Sequence, residues 1–361
     1  MFRFIARFAV FLVVLGIVAE VFFRTVIPAA SLPGSYMDRA EQIFRFDTTW
    51  VTSGVNTRGR FGLHPTTWRV NNAGWNCLFD YTSARTTGRP RIALLGDSYI
   101  EGLPDNVDQH VEVYLNRLTG NHADVYAFGR SGWYLEQYVA LSRYVDQRYA
   151  PDTFVIFMNY HDIWDSLREN GVKTPYAYQI VRDGAGFREL RPPAHFVFGG
   201  RSRLLRRSAI VRYVRINLGI LWGQGGAVEQ DVNLAPDNAA RSGGETDSPL
   251  IQAATDYMVG RLVKEHPGRQ FVFAVDGDRQ SIEAGETPAP RPELAALRQA
   301  ARPYPNVHLL DLQPIFQSAY QAQHRKFEVG NGSHWNAYGN QVVARAVSAY
   351  LSAQALLPAR K

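Results

Sequence analysis

Two short polar blocks, far apart in the chain, carry residue types suited to nucleophilic chemistry. The first is Gly96-Asp97-Ser98, which directly follows an apolar run at residues 91–95. A serine hydroxyl is a weak nucleophile until a base takes its proton and donors stand ready for the oxyanion. A serine in a turn at the end of a buried strand is exposed at the sheet edge, beside backbone N–H groups. The second block is Gly330-Asn331-Gly332-Ser333-His334-Trp335-Asn336, polar, glycine-rich and placed just ahead of a C-terminal amphipathic run. It offers His334 as a general base. Taken singly, each block has an ordinary reading: Gly-Asp-Ser turns occur in structural loops, and a histidine ahead of a helix can be a surface residue.

Other reactive residue types have plainer explanations. Cys77, the single cysteine, lies in Trp75-Asn76-Cys77-Leu78-Phe79, an apolar setting that suits an inert packed thiol. Asp97, Asp162, Asp276, Asp278 and Asp311 all sit at strand ends or in motif turns, where capping is their expected job. They show no His/Cys/Asp spacing typical of a metal site, so neither a metal nor a cofactor is expected.

The elements that must position these blocks follow from the apolar pattern. Short runs at 91–95, 124–128, 153–158, 271–275 and 307–310 read as strands, and 110–118, a segment ending at 149, and 336–351 read as helices. Strands alternating with helices imply a parallel sheet covered on both faces, a three-layer α/β/α architecture with five mostly parallel strands. In such sheets functional groups collect beyond the carboxyl ends of the strands. Residues 31–88 form a lead-in with turn signals at Asn71-Asn72-Ala73-Gly74 and Thr86-Thr87-Gly88. The main domain runs over 89–361 and carries an insertion at about 165–249. The insertion's first part reads as loop and its end, 224–249, as a polar flexible stretch. Between these, 201–222 has Leu204, Leu205, Ile210, Val211, Val214, Leu218 and Leu221 at helical spacing, with Arg203, Arg206, Arg207, Arg212 and Arg215 on the remaining surface. That basic helix can cap a site, touch lipid headgroups or an anionic glycan, or present a solvated face.

At 361 residues, 46% hydrophobic and 20% charged, the chain is globular rather than disordered. The net charge of +6 gathers near residues 201–215 and makes no case for nucleic acid. Residues 1–30 hold Arg3 and Arg7, an apolar run from Phe8 to Ala19, then Glu20 and Arg24. This is either a cleaved signal peptide or a retained anchor with the N-terminus inside. Pro28 spoils the small-x-small pattern a cleavage site needs, which favours a single-pass anchor in the inner membrane with the domain facing the periplasm or exterior.

Two further blocks complete a pattern: Gly129-Arg130-Ser131-Gly132 after the second strand and Asn159-Tyr160-His161-Asp162-Ile163 after the third. With the serine and histidine blocks, their order and strand context resemble the SGNH (GDSL-like) hydrolases over about residues 89–352. The lead-in and the membrane segment look like exported bacterial members of that group. The resemblance implies a flavodoxin-like fold and an acyl-serine mechanism, with Ser98 as nucleophile and His334 as base. It also implies an oxyanion hole from the N–H groups of Ser98 and Gly132. Two positions depart from the family: its oxyanion asparagine falls on His161 and its triad aspartate on Asn331. An imidazole can donate in place of the amide, or Asn159 can serve; Asn331 can orient His334, or Glu328 can supply the acid. Trp133 and Trp335 are candidates for the walls of a sugar cleft. The expected activity is removal of O-acetyl or other O-acyl groups from a cell-surface polysaccharide or exopolysaccharide. An O-acetyltransferase with the same site is one alternative, and a catalytically silent scaffold in a polysaccharide-synthesis complex is another.

Overall fold

Five apolar strands form the centre of the molecule: β5 (Arg91–Gly96), β6 (Asp124–Gly129), β7 (Thr153–Met158), β10 (Gln270–Val275) and β11 (Val307–Asp311). The computed structural model describes residues 2–357 apart from 39, 50, 59, 86, 87, 121, 160, 169–176, 192–204, 221–247, 289 and 330–333. The five strands are all parallel, in the order β11-β10-β7-β5-β6. The order reverses between β5 and β7, which makes the carboxyl end of β5 the switch point where such sheets hold their ligands.

Both faces of the sheet are covered, which is why its strands read as unbroken apolar runs. Side chains alternate between two cores. Ala93, Leu95, Phe154, Ile156, Phe271 and Phe273 point into one. Ile92, Leu94, Val155, Phe157, Val272 and Ala274 point into the other. Helices α4 (Leu135–Tyr149), α7 (Ser248–Glu265) and α9 (Pro292–Ala301) pack on the first face. Helices α3 (Val111–Leu118), α10 (Gln313–Gln323) and α11 (Ala337–Ala353) pack on the second.

The lead-in forms two antiparallel ribbons, β1 (Ser35–Met37) with β2 (Phe44–Phe46) and β3 (Ser53–Arg58) with β4 (Leu63–Arg69). Beyond them, Tyr81 closes the open edge of the sheet. Its hydroxyl donates to the Ala127 carbonyl at 2.7 Å and accepts the Ala127 N–H at 2.9 Å, satisfying an edge strand that would otherwise invite pairing. The insertion differs from the expected loop. Its first part contains the hairpin of β8 (Gln179–Asp183) and β9 (Gly186–Leu190), turned at Gly184-Ala185, where Gly184 has φ +59°. Gly at the first of two turn residues is a hairpin signal. Of the basic segment, residues 205–220 are described. They contain helix α6 (Ala209–Arg212), which widens into a π-turn at Tyr213–Asn217.

At the N-terminus, α1 (Phe2–Thr25) has 24 residues, a mean hydropathy of 2.4 in its most apolar window and no buried side chain. At 1.5 Å per residue it is about 36 Å long, more than the ~30 Å of a bilayer's hydrocarbon core.

Two glycines let the strand ends meet the short helix α2 (Ser98–Glu101). A β carbon on Gly129 would lie 2.3 Å from the Glu101 nitrogen and 2.5 Å from the Ile100 carbonyl carbon. One on Gly96 would lie 2.4 Å from Ile100 Cγ1. Backbone cannot yield as a side-chain tip can. Gly129→Ala is therefore expected to lose about 2–3 kcal/mol in guanidinium denaturation. Gly186→Ala, with only an ordinary contact at 3.9 Å, serves as the near-neutral control.

Candidate active site

Ser98 opens α2 directly beyond β5 and is partly exposed. Asp97 caps the helix by accepting the Tyr99 N–H at 3.0 Å, and its other oxygen accepts from Asn159 Nδ2 at 2.5 Å. Asn159 lies just past β7, and its own N–H donates to Asp162 at 3.1 Å. The turns after the first and third strands of the sheet are thus tied together across the switch point.

The loop after β6 is held from beneath. Arg130 is buried, with its guanidinium 2.6 Å from Glu101 Oε1, donating to Ser35 Oγ at 2.9 Å and lying 3.9 Å over the Phe46 ring. The Ser131 hydroxyl donates to the other Glu101 oxygen. Burial raises the Glu101 carboxyl above its ordinary value, and the Arg130 charge opposes that shift. This pair fixes the Gly129–Gly132 loop against α2. Gly132 itself is exposed, with φ +76°, a left-handed conformation that glycine adopts without steric cost.

The C-terminal block returns to the same edge. Val329 N–H donates to the His334 carbonyl at 2.9 Å and Asn336 N–H to the Phe327 carbonyl at 2.7 Å. Asn336 then caps α11, accepting from Tyr338 and Gly339 N–H at 3.0 Å each. This paired turn delivers the His334 ring against Tyr99, the neighbour of Ser98, with centroids 5.0 Å apart and planes 30° apart. The Trp335 ring meets Tyr99 edge-on at 4.8 Å. Buried Arg279 donates to the Tyr99 hydroxyl at 3.1 Å and pairs with Asp276 and, at 3.3 Å, with Glu328.

The sequence-derived candidates fare unequally. The segments bearing Ser98 and His334 come together, and Gly132, Asn159 and His161 lie at the ends of the neighbouring strands. His161 is partly exposed and precedes α5 (Asp162–Ser166), which it does not cap through its side chain. Asn331 falls outside the described residues. Glu328 is engaged with Arg279; burial raises its carboxyl and the Arg279 charge opposes. The expected aromatic cleft needs correction. Trp133 is buried against Trp75 at 6.0 Å, and Trp335 packs among Tyr99, Phe157 and Phe316 with its indole N–H donating to Asp276 at 3.3 Å. Neither offers an open ring face to a sugar, because each has apolar neighbours closing around it. The capping aspartates behave as expected: Asp278 accepts from Ser281 N–H at 3.1 Å, and Asp311 accepts from Gln313 N–H at 3.0 Å while pairing with Arg291 at 2.6 Å. Cys77 is buried and its thiol is pushed far above the ordinary value by that burial. Tyr99, Arg279 and the Glu101–Arg130 pair escape a reading of the sequence. The only hint is Arg130's place inside a glycine block.

No protein-family model matches the chain, and no curated protein is similar to it. Solved structures with a related fold include an α/β hydrolase from the metagenome of Lake Arreo, Spain. It is 14% identical, covering 77% of this chain and 100% of that one, at a TM-score of 0.39. A family two carbohydrate esterase from Clostridium thermocellum, in complex with cellohexaose, is 10% identical over 75% of this chain and 66% of that one, also at 0.39. A salicylyl-acyltransferase from a tetracycline biosynthetic pathway is 13% identical over 76% and 58%, again at 0.39. Resemblance at this level carries no argument about activity.

His110 braces the floor of the Ser98 turn. Its Nε2 is 2.9 Å from the Gly102 carbonyl at the end of α2, and its Nδ1 is 3.5 Å from Glu112. Burial works against the imidazolium, but Glu112 and Asp105 outweigh it, and the pKa rises above the ordinary 6.5. A raised folded-state value means the stabilisation is complete below the unfolded pKa and lost as pH rises through the folded one. His110→Gln should therefore lower the urea midpoint most at about pH 5.5, the gap to wild type narrowing toward about pH 9. A gap constant with pH would show that His110 acts by packing alone.

Proposed function

We propose that the protein is a serine hydrolase of the SGNH type, anchored by α1, that cleaves O-acyl esters, O-acetyl above all, from a cell-surface polysaccharide or exopolysaccharide. The observation that carries this reading is the Tyr99–His334 contact at 5.0 Å, which brings the histidine block to the residue next to Ser98. Its position at the switch point of a flavodoxin-ordered sheet adds to it.

In this reading Ser98 Oγ attacks the ester carbonyl while His334 takes its proton, later returning it to the leaving sugar hydroxyl. The N–H groups of Ser98 and Gly132 hold the oxyanion. His161 is the third donor in preference to Asn159, whose amide is committed to Asp97. Asn331 orients His334 without adding charge, while Glu328 serves Arg279. Water resolves the acyl-serine; a sugar hydroxyl in its place would make the same site an acyltransferase.

A fluorophosphonate probe should label the wild-type protein and fail on Ser98→Ala, with hydrolysis of an aryl acetate lost in parallel. Folded wild-type protein that takes no label would mean a silent scaffold instead. His161→Ala is expected to lower kcat by ~10²–10³-fold, as removal of an oxyanion donor does, with KM little changed. An unchanged kcat would return that role to Asn159. Supplying an acetyl donor and an oligosaccharide acceptor separates the two chemistries, since transfer product in excess of hydrolysis would overturn the esterase assignment.

A further inference from the structure

The carboxyl end of α1 is built into the folded domain. Glu20 accepts from Ser208 Oγ at 2.9 Å, Ala209 N–H at 2.8 Å and Ile210 N–H at 3.2 Å, so a carboxylate on α1 caps helix α6 of the insertion. Arg24 pairs with Glu20 at 2.6 Å and donates to the Arg207 carbonyl at 2.9 Å. Phe23 stacks on Tyr213 with centroids 4.0 Å apart, and the Tyr213 hydroxyl donates to the Arg60 carbonyl at 2.9 Å in the β3–β4 turn. Buried Asn217 accepts the Ala30 N–H at 2.9 Å and donates to Thr57 Oγ1 at 3.1 Å. Two elements, the β3–β4 turn and residues 205–220, therefore clasp the point where α1 leaves its apolar run.

Those same two elements expose large apolar side chains. Phe61 is 71% exposed and Leu63 55% in the turn; Leu205 is 53% and Ile220 45% exposed in the insertion, with Leu218 also exposed. Gly62 lies against Pro28, just past α1, where a β carbon would come within 2.9 Å of the Pro28 carbonyl. Arg60 and Arg207 are exposed beside them, and no acidic residue occurs between Arg201 and Val228. Apolar side chains mixed with arginines, at the end of a helix long enough to span, match the interface of a bilayer in composition and in place.

We propose that the β3–β4 turn and residues 205–220 form a membrane-seating surface. In it, Phe61, Leu63, Leu218 and Ile220 enter the headgroup–acyl boundary of an anionic phospholipid bilayer, and Arg60 and Arg207 meet its phosphates. This rests on α1 being a retained span, as in the function proposed above. It adds that the domain is docked on the membrane and not held off on a tether.

Full-length protein in phosphatidylglycerol-containing nanodiscs tests this, with single fluorophores at Phe61→Cys, Leu218→Cys and, on the exposed side of α9, Gln299→Cys; the native Cys77 is buried. Spin-labelled lipids should quench the first two labels and leave the third unaffected. Quenching at 218 should fall about twofold in purely phosphatidylcholine discs, as expected when cationic side chains contribute. Labels at 61 and 218 behaving like that at 299 would overturn the proposal, as would their burial by a co-purifying protein without lipid quenching. Intact mass of the membrane-extracted chain separates the two failures. A chain lacking residues 2–25 removes both the anchor and the seating surface, whereas a retained helix with unquenched labels removes the seating surface alone.

Discussion

Tyr99 is the residue on which the two halves of the candidate site depend. One side of its ring receives His334, its edge receives Trp335, and its hydroxyl is fixed by Arg279. Ser98 and His334 come from the first strand turn of the domain and from the turn before its last helix. Nothing in the local chain keeps them together. The ring brings His334 against the neighbour of Ser98, and Arg279 keeps the ring in place. Arg279 in turn is buried between Asp276 and Glu328. A buried guanidinium is tolerable only when paired, and loss of one partner of such a group typically costs about 3–5 kcal/mol. The cluster is a rigid post set between β10 and the histidine turn. Its polar character is compensated within itself, with Trp335 adding a bond to Asp276.

A second post stands on the other side of the serine. Glu101 closes α2 and is met there by Arg130 and Ser131 from the loop after β6. The aromatic rings of Phe44 and Phe46 lie under the Arg130 guanidinium, so the lead-in ribbon completes the cage around the ion pair. Asn76 adds a bond from its amide to the Glu101 carbonyl at 2.9 Å. The lead-in is therefore part of the support of the Ser98 turn, which explains why it carries so many buried polar residues.

The sheet was legible because each strand is buried on both faces, so its apolar run is unbroken and ends in a polar turn. The runs at 91–95, 124–128 and 153–158 differ from the observed strands by one residue at most. The hairpin at 179–190 was harder, since its residues alternate and half of them face solvent. The helix at Ser248–Glu265 was missed because it follows a polar stretch that reads as flexible. The serine and histidine blocks were visible as motifs, whereas Tyr99 and Arg279 were not. Their importance comes from neighbours far away in the chain, and no local spacing encodes that. The tryptophans failed for the same reason in reverse: an aromatic beside a motif looks accessible until the residues packed over it are known.

The lead-in also sets a length. From Pro28, just past α1, the chain runs through the lead-in to β3 and β4, and Asn56 and Thr66 both donate to the Leu103 carbonyl, at 3.3 and 3.0 Å. Leu103 follows α2 by two residues. A short relay of backbone and side-chain bonds thus joins the end of the apolar helix to the serine turn, with no long linker between them. In a chain held by α1, the Ser98 hydroxyl sits at a height fixed by this strut. Under the proposed function, only esters presented at that one elevation come within reach.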